Sequence, residues 1–415
     1  MNKTTLLLAL ASMKTNIGRT ALTLLGIVIG ITAVIAVLSA GQAISDLIIG
    51  EIEAFGGNAI EIEVKTPNVS QNSTENAFSM VGGSVITTLK EKDAKAILKQ
   101  PNIINYYVGV MGQDAATYKS ELKKSTLFGI NASFIDIDQG SEIELGRFFT
   151  NEEDESLSQV AVLGYKVAED LFGQNDPIGQ SIKVGKKRFQ VIGVMTERGA
   201  SFTFDWDTLI YLPVKTLQKK MLGIDYVSFI FAEMEDATLG EETVEDINYI
   251  MRDQHNITDP DKDDFAAITM DQAIEMMAVI IVGIQILLIL LGSISLIVGG
   301  VGIMNIMYVS VTERTYEIGL RKSVGAKQAD ILWQFLFEGI IITLLGGLIG
   351  IVFGILITGL ISLVANAAGF NWQFSISWTG MLVAITMSAV VGLVFSLYPA
   401  RKAAKLDPMV ALRKE

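Results

Sequence analysis

The sequence predicts a membrane protein of four transmembrane α-helices, with a large α+β extracytoplasmic domain inserted between helices 1 and 2. Three observations predict it. Mean hydropathy is +0.44, too high for a soluble enzyme, although the 415 residues carry a formal net charge of −13. The charge is segregated. Residues 46–271 hold 38 acidic and 20 basic side chains, against 7 and 12 in the remainder. Finally, Thr20–Ala43, Ala278–Met307, Ile331–Ala365 and Trp378–Tyr398 each supply the roughly 20 apolar residues a helix needs to cross a bilayer. An acidic aqueous domain is thus set into an apolar, mildly basic frame.

Residues 1–19 read as a cytoplasmic amphipathic interfacial helix. Leu6, Leu10, Met13 and Ile17 recur at helical spacing, flanked by Lys3, Lys14 and Arg19. Residues 20–46 form the first span and the start of a stalk; a late start and long apolar run exclude a cleaved signal peptide. The helical pattern continues through "ISDLIIGEIEAFG". Residues 47–270 form the extracytoplasmic domain. "NAIEIEVK", "KKRFQVIGVM", "DTLIYLPV" and "YVSFIFAEM" read as strands, "LKEKDAKAILKQ" and "GEETVEDINYIMRDQH" as amphipathic helices. The order of elements suggests two subdomains, the second inserted in the first, and the polar run 66–84 is the one flexible stretch.

Residues 271–309 give a second stalk and span. Thr269 and Gln272 make a T-x-x-Q capping box, and helical character runs on to about Ser310. At 1.5 Å per residue that is about 60 Å, twice the ~30 Å hydrocarbon core, so its outer end is expected to stand in water. Neither junction has a Gly/Ser/Pro-rich linker, which predicts a rigid connection. The rest divides into a cytoplasmic coupling segment (310–331), a third span (332–365), a short outside loop (366–377), a fourth span (378–400) and a cytoplasmic tail (401–415).

Lys and Arg set the orientation. They cluster before span 1, between spans 2 and 3 (Arg314, Arg321, Lys322, Lys327) and after span 4 (Arg401, Lys402, Lys405, Arg413, Lys414). The loop "NAAGFNWQFSIS" between spans 3 and 4 has no charge. Both termini are therefore expected in the cytoplasm, with residues 47–270 outside the cell membrane. Gly26-x-x-x-Gly30, Ser295-x-x-x-Gly299 and Gly346-x-x-x-Gly350-x-x-x-Gly354 remove side chains at the spacing that lets membrane helices approach closely.

Several chemistries find no support. There is no cysteine for disulfides, clusters or thiolate metal sites, and a single histidine excludes a polyhistidine metal centre. The spans lack the midplane ionisable groups of ion-coupled carriers. "GQNDPIGQS" (173–181) has Gln180 where a phosphate loop needs Lys. "NEEDES" (151–156) reads as a solvated acidic loop, and His255, with Asp253 and Asp259 nearby, as a surface or capping residue. No residue is assigned as catalytic or metal-binding, and no nucleic-acid partner is implied.

The segment "TERTYEIGLRKSVGAKQAD" (312–330) interrupts the apolar frame. As a helix it places Glu313, Glu317 and Arg321 along one face, with Ile318 and Val324 as apolar anchors and Arg314 and Lys322 adding charge. Gly325–Ala326 then turns the chain into span 3. Such a helix suits a groove on a partner.

"ERTYEIGLRKSVGAKQADILWQFLFEG" (313–339) resembles the coupling segment of MacB-like ABC transporter permeases, which group with lipoprotein-release and FtsX-type permeases. "NIGRTALTLLGIVIGITAVIAVLSAGQA" (16–43), "GRFFTNEED…VAVLGYKVAEDLFGQNDPIGQSIKVGKKRFQVIGVM" (146–195), "RDQHNI…DDFAAIT" and "YPARKAAKLDPMVALRKE" extend the resemblance over nearly the whole chain. It implies a homodimer with a cytoplasmic ABC ATPase beneath each subunit, and transmission of ATP-driven movement to the outer domain for efflux or extrusion. A periplasmic adaptor or other outer partner is compatible with it. With 19 residues before the first span and no Walker motif, the ATPase is expected as a separate polypeptide. ATP and Mg would be held there, and no cofactor by this chain. Two alternatives stay open: a lipoprotein-releasing permease, and an FtsX-like regulator of a cell-wall hydrolase.

Overall fold

The computed structural model describes residues 17–54, 57–65, 87–200, 205–368 and 372–412. The expected interfacial helix up to Asn16, the polar run 66–84 and the tail beyond Leu412 lie outside the described residues. The chain divides into two compact units. One is a sheet unit, Asp46–Val279; the other is helical, built among the described residues from 17–45, 280–367 and 372–412.

In the sheet unit, strands and helices follow the order β1 (Ala59–Val64), α2 (Glu91–Ile97), β2 (Ile103–Tyr118), β3 (Glu121–Ile130), α3 (Phe134–Ile137), β4 (Ile143–Gly146), α4 (Asn151–Glu155), β5 (Val160–Leu163), α5 (Tyr165–Phe172), β6 (Ser181–Val184), β7 (Lys187–Met195), β8 (Leu209–Pro213), β9 (Phe229–Met234), α6 (Gly240–His255) and β10 (Phe265–Thr269). Ahead of them lies α1 (Ile17–Ala54), which begins in the helical unit. The strands join in one mixed sheet, β10-β1-β9-β2-β3-β8-β5-β7-β4, with β6 against β2 and β7. β3 pairs with β8, and β5 with β7, in parallel; the other pairings are antiparallel.

The sheet is made continuous by the β2–β3 hairpin, whose strands of 16 and 10 residues reach both halves: β2 pairs with β9 on one side and β3 with β8 on the other. Strand alternation sends successive side chains to opposite faces, and both faces are covered. Ile60, Ile62, Val108, Val110, Ile210, Leu212, Ile230 and Ala232 form one core with residues of α2, α5 and α6. The intervening Tyr107, Phe128, Tyr211 and Phe231 form an aromatic second core with Phe134, Phe148 and Trp206. Beneath that face Arg198 stacks 4.0 Å over the Trp206 ring and reaches Asp138 at 2.9 Å, both partners buried.

Two loop readings change. "NEEDES" is a short helix rather than a solvated loop: Thr150 and Glu153 make a capping box, and Arg147 grips Glu153 at 2.7 Å. Asp154 is buried, accepting from the Lys215 backbone N–H at 2.9 Å, and burial lifts its carboxyl to about 6. His255 is interior. Its Nδ1 lies 2.7 Å from Asp264 Oδ1 and its Nε2 3.4 Å from Asp93 Oδ2, so its acidic neighbours are neither Asp253 nor Asp259. It ties α6 to α2 and to the entry of β10.

The hydrogen bond to Asp264, then the ion pair with Asp93, raise the imidazole to about 9 from its usual 6.5. The fold therefore favours imidazolium. This stabilisation is complete below about pH 6.5 and is lost as pH climbs towards 9. His255→Gln should lower the thermal midpoint of the sheet unit by several degrees near pH 6.5, a loss bounded by roughly 3 kcal/mol. The two proteins should converge above pH 9.5 when unfolding is followed by circular dichroism across that range. A constant gap would contradict the ion pairs.

Candidate coupling surface and helix seams

Four long apolar helices build the membrane unit: α1, α7 (Met270–Glu313), α9 (Gln328–Ala367) and α10 (Trp378–Ala404). Two short helices, α8 (Thr315–Ser323) and α11 (Pro408–Leu412), flank their ends. The α7 start is fixed by reciprocal 3.1 Å bonds between Thr269 and Gln272, as their spacing predicts.

Helix α1 packs against α7 and α9. Ile27, Ile31 and Ile35, fully buried, recur at i, i+4 and i+8. Each sits over one glycine of α9. A Cβ placed on Gly346, Gly350 or Gly354 would lie 3.2, 2.8 and 2.7 Å from Ile27, Ile31 and Ile35 respectively. The missing side chains also let Thr32 Oγ1 donate to the Gly350 carbonyl at 3.0 Å. On another side Gly26 faces Gly299 and the Ser295 carbonyl, while Gly30 faces Leu296. Numbering rises together along α1 and α9 and oppositely along α1 and α7, so these pairs are parallel and antiparallel.

A third seam, between α9 and α10, was missed from the sequence. Gly339 faces Ser396, Gly347 faces Ser388 and Gly392 faces Thr343. The signal was present: Gly380, Ala384, Ser388, Gly392, Ser396, Ala400 and Ala404 place a small, buried residue at every fourth position. Only the shorter Gly-x-x-x-Gly runs had been read.

The pairings bring the start of α1, end of α7, start of α9 and end of α10 to the same end of the unit. There α7 stops at Glu313, because Arg314 (φ −97°, ψ 14°) departs from helical geometry and Thr315 turns its hydroxyl back onto the Val311 and Thr312 carbonyls. The break corrects the reading of a single Glu313–Glu317–Arg321 face, since Glu313 belongs to α7. Within α8, Arg321 pairs with Glu317 at 2.5 Å and donates to Gln334 of α9.

Several expected contact residues are used inside the chain. Arg314 lies 3.2 Å from the buried carboxylate Glu338 of α9. Lys322 donates to the Ala404 and Leu406 carbonyls at 2.7 and 2.6 Å, capping the end of α10. Ile318 is buried rather than an outward anchor, and Gly319 lies against Ala411 of α11. What remains outward is Tyr316, Leu320 and Val324, again at i, i+4 and i+8, with Val324 84% exposed. Met409 and Val410 of α11 are exposed as well. Gly325, at φ +101°, makes the left-handed turn into α9 that other residues adopt with strain, and Ala326 packs inward.

Alternating apolar helices joined by glycine seams, and an α/β domain inserted between the first and second, define a multi-pass membrane protein. The chain belongs to the MacB-like family of ABC transporter permeases. The MacB-like periplasmic core domain matches residues 20–250, and the FtsX-like permease C-terminal domain matches residues 289–408. It is 34% identical over 399 residues to the macrolide export ATP-binding/permease protein MacB of Bdellovibrio bacteriovorus, covering 96% of this chain and 59% of that protein. It is 36% identical over 408 residues to the protein of the same name from Chlorobaculum tepidum, covering 98% and 61%. The chain thus spans about three fifths of the length of these relatives. Among solved structures, the periplasmic region of MacB from Actinobacillus actinomycetemcomitans aligns with a TM-score of 0.46 at 21% identity, over 55% of this chain and 97% of that one.

Gly350→Val should lower the thermal midpoint of the purified protein by several degrees, since overpacking against Ile31 costs about 1–3 kcal/mol. Gly359→Val, where the nearest atom is a Phe374 ring carbon at 3.7 Å, should change it much less. Equal effects would remove the seam's special role.

Proposed function

We propose that this chain is the non-catalytic membrane subunit of an ABC transporter, transmitting movement from a cytoplasmic ATPase to the sheet unit for export of an envelope-side substrate. The observation that carries the reading is the continuity of α7. It starts at the capping box that follows β10, runs 44 residues without interruption, and ends at the break before α8. A push on α8 enters directly into that helix. ATP and magnesium act in the ATPase and none is held by this chain.

The outward stripe Tyr316–Leu320–Val324 is the surface offered to the ATPase. Arg314, Lys322 and Gly319 lock α8 to α9, α10 and α11, so displacement of α8 moves all of them. The basic residues Arg314, Arg321, Lys322, Lys327, Arg401, Lys402 and Lys405 lie near the helix ends gathered at this platform, which supports placing it, and both termini, in the cytoplasm. A second copy completes the assembly. The most apolar window of α7 is 6% buried within one chain, against 39% for α1 and α9, and a homodimer would cover part of it. An outer adaptor would bind the sheet unit.

Leu320→Asp should abolish stable binding of the ATPase in pull-down and bring its stimulated turnover to the basal rate. The double charge reversal Glu317→Lys with Arg321→Glu should weaken both while leaving Arg314–Glu338 intact. Undiminished coupling in both variants would refute the assignment. Since the chain has no cysteine, spin labels at Gly50→Cys and Ala278→Cys can report movement cleanly. Their distance distribution should shift when ATP is added to the complex; one unaltered by nucleotide would count against transmission.

A further inference from the structure

Among the described residues the mixed sheet ends in two edge strands, β4 and β10, and they differ in how they are guarded. A sheet edge presents a row of unpaired N–H and C=O groups, which proteins blunt with charge, shortness or a bulge. β4 is four residues long, carries the exposed Glu144 and shifts register against β7 between Ile143 and Leu145. β10 has no charge, proline or bulge, and its five residues pair with β1 in unbroken register.

That register fixes which groups stay open. The Lys65 N–H donates at 2.9 Å to the carbonyl of Asp264, its opposite number in the ladder. Bonded and non-bonded pairs alternate along antiparallel strands, so Ala266 and Ile268 turn their peptide groups to Glu63 and Glu61 of β1. Phe265 and Ala267 turn theirs away, and neither meets a hydrogen-bond partner there among the described residues. Two donors and two acceptors are left, about 7 Å apart along the strand at 3.4 Å per residue.

The open edge is the floor of a groove. All four residues from Phe265 to Ile268 line a cavity of about 430 Å³, walled by Val244 and Asn248 of α6 and by Met276 and Val279 of α7. Helices on two sides admit an extended segment and obstruct the broad edge of a folded sheet. Lys65 and Glu275 on the lining balance one another, and Arg252 is held by Asp263 at 2.7 Å, so the groove selects no charge. A peptide backbone is the neutral chemistry that repeats donor and acceptor at this spacing. We infer that β10 accepts an added strand, an extended uncharged segment of another polypeptide bonded through its backbone to Phe265 and Ala267. Its alternate apolar side chains lie against Val244 and Met276. The inference stands independently of the coupling reading, because the edge and both walls belong to the sheet unit.

The test uses the full chain in nanodiscs and the capped pentapeptide Thr-Val-Thr-Val-Thr. Its control is the same peptide N-methylated at every residue, which keeps the side chains and removes the donors. The parent should bind with a Kd below about 1 mM, and the methylated form at least tenfold more weakly. Bound parent should slow deuterium exchange at the Phe265 and Ala267 amides at least tenfold, and at Ala266 and Ile268, already bonded to β1, much less. Ala267→Pro removes one open donor without touching the β1 ladder, a change that edge strands tolerate, and should weaken the parent at least tenfold. Ala267→Val keeps the donor and should retain binding. No binding of the parent, equal affinity for the two peptides, or undiminished binding in Ala267→Pro would each overturn the strand addition. So would Phe265 and Ala267 amides already slow to exchange without peptide, which would show the edge covered by a second copy or by another part of this chain.

Discussion

The membrane unit depends on three isoleucines set over three glycines. Without a hydrophobic difference between lipid and side chain, helices in a bilayer associate through close packing and interhelical hydrogen bonds. Ile27, Ile31 and Ile35 obtain that packing only because Gly346, Gly350 and Gly354 present bare backbone. The same approach gives the Gly350 carbonyl its Thr32 donor. Through this ladder α1 is held parallel to α9, and through Gly26 and Gly299 antiparallel to α7. Up-and-down order in the four helices follows from side chains that are absent.

The helical platform divides its residues between holding and offering. Arg314 answers the buried Glu338, and breaking such a pair is costly because it strands a charge away from water. Lys322 satisfies carbonyls that the end of α10 leaves open. These residues make α8 a fixed part of the membrane unit. Tyr316, Leu320 and Val324 do no comparable internal work and stay on the surface.

The four spans were legible because their apolar runs exceed anything a soluble helix needs, and the Thr269–Gln272 box because capping chemistry is local. The Gly346–Gly350–Gly354 row was visible, whereas its Ile27–Ile31–Ile35 partner was not: isoleucine is unremarkable in a span, and pairing is a tertiary fact. Ile318 was misplaced because one helical turn shows amphipathicity without showing which side turns into the membrane unit's core. His255 was sought beside Asp253 and Asp259, which are near in sequence. Its actual neighbours Asp93 and Asp264 come from α2 and the entry of β10. The long β2–β3 hairpin was obscured by half-buried polar positions such as Asn105 and Asp114.

The placement of β1 has a consequence for biogenesis. Its two neighbours are β9 and β10, both near the end of the inserted domain. As the polypeptide is made, Ala59–Val64 finds neither neighbour until Phe229–Met234 has been synthesised, and its second waits for Phe265–Thr269. Pairings so distant along the chain form slowly, and an unpaired strand edge invites aggregation in the interval. Maturation of the sheet is thus delayed until nearly the entire insert has emerged, a stage at which a holding chaperone would be of most use.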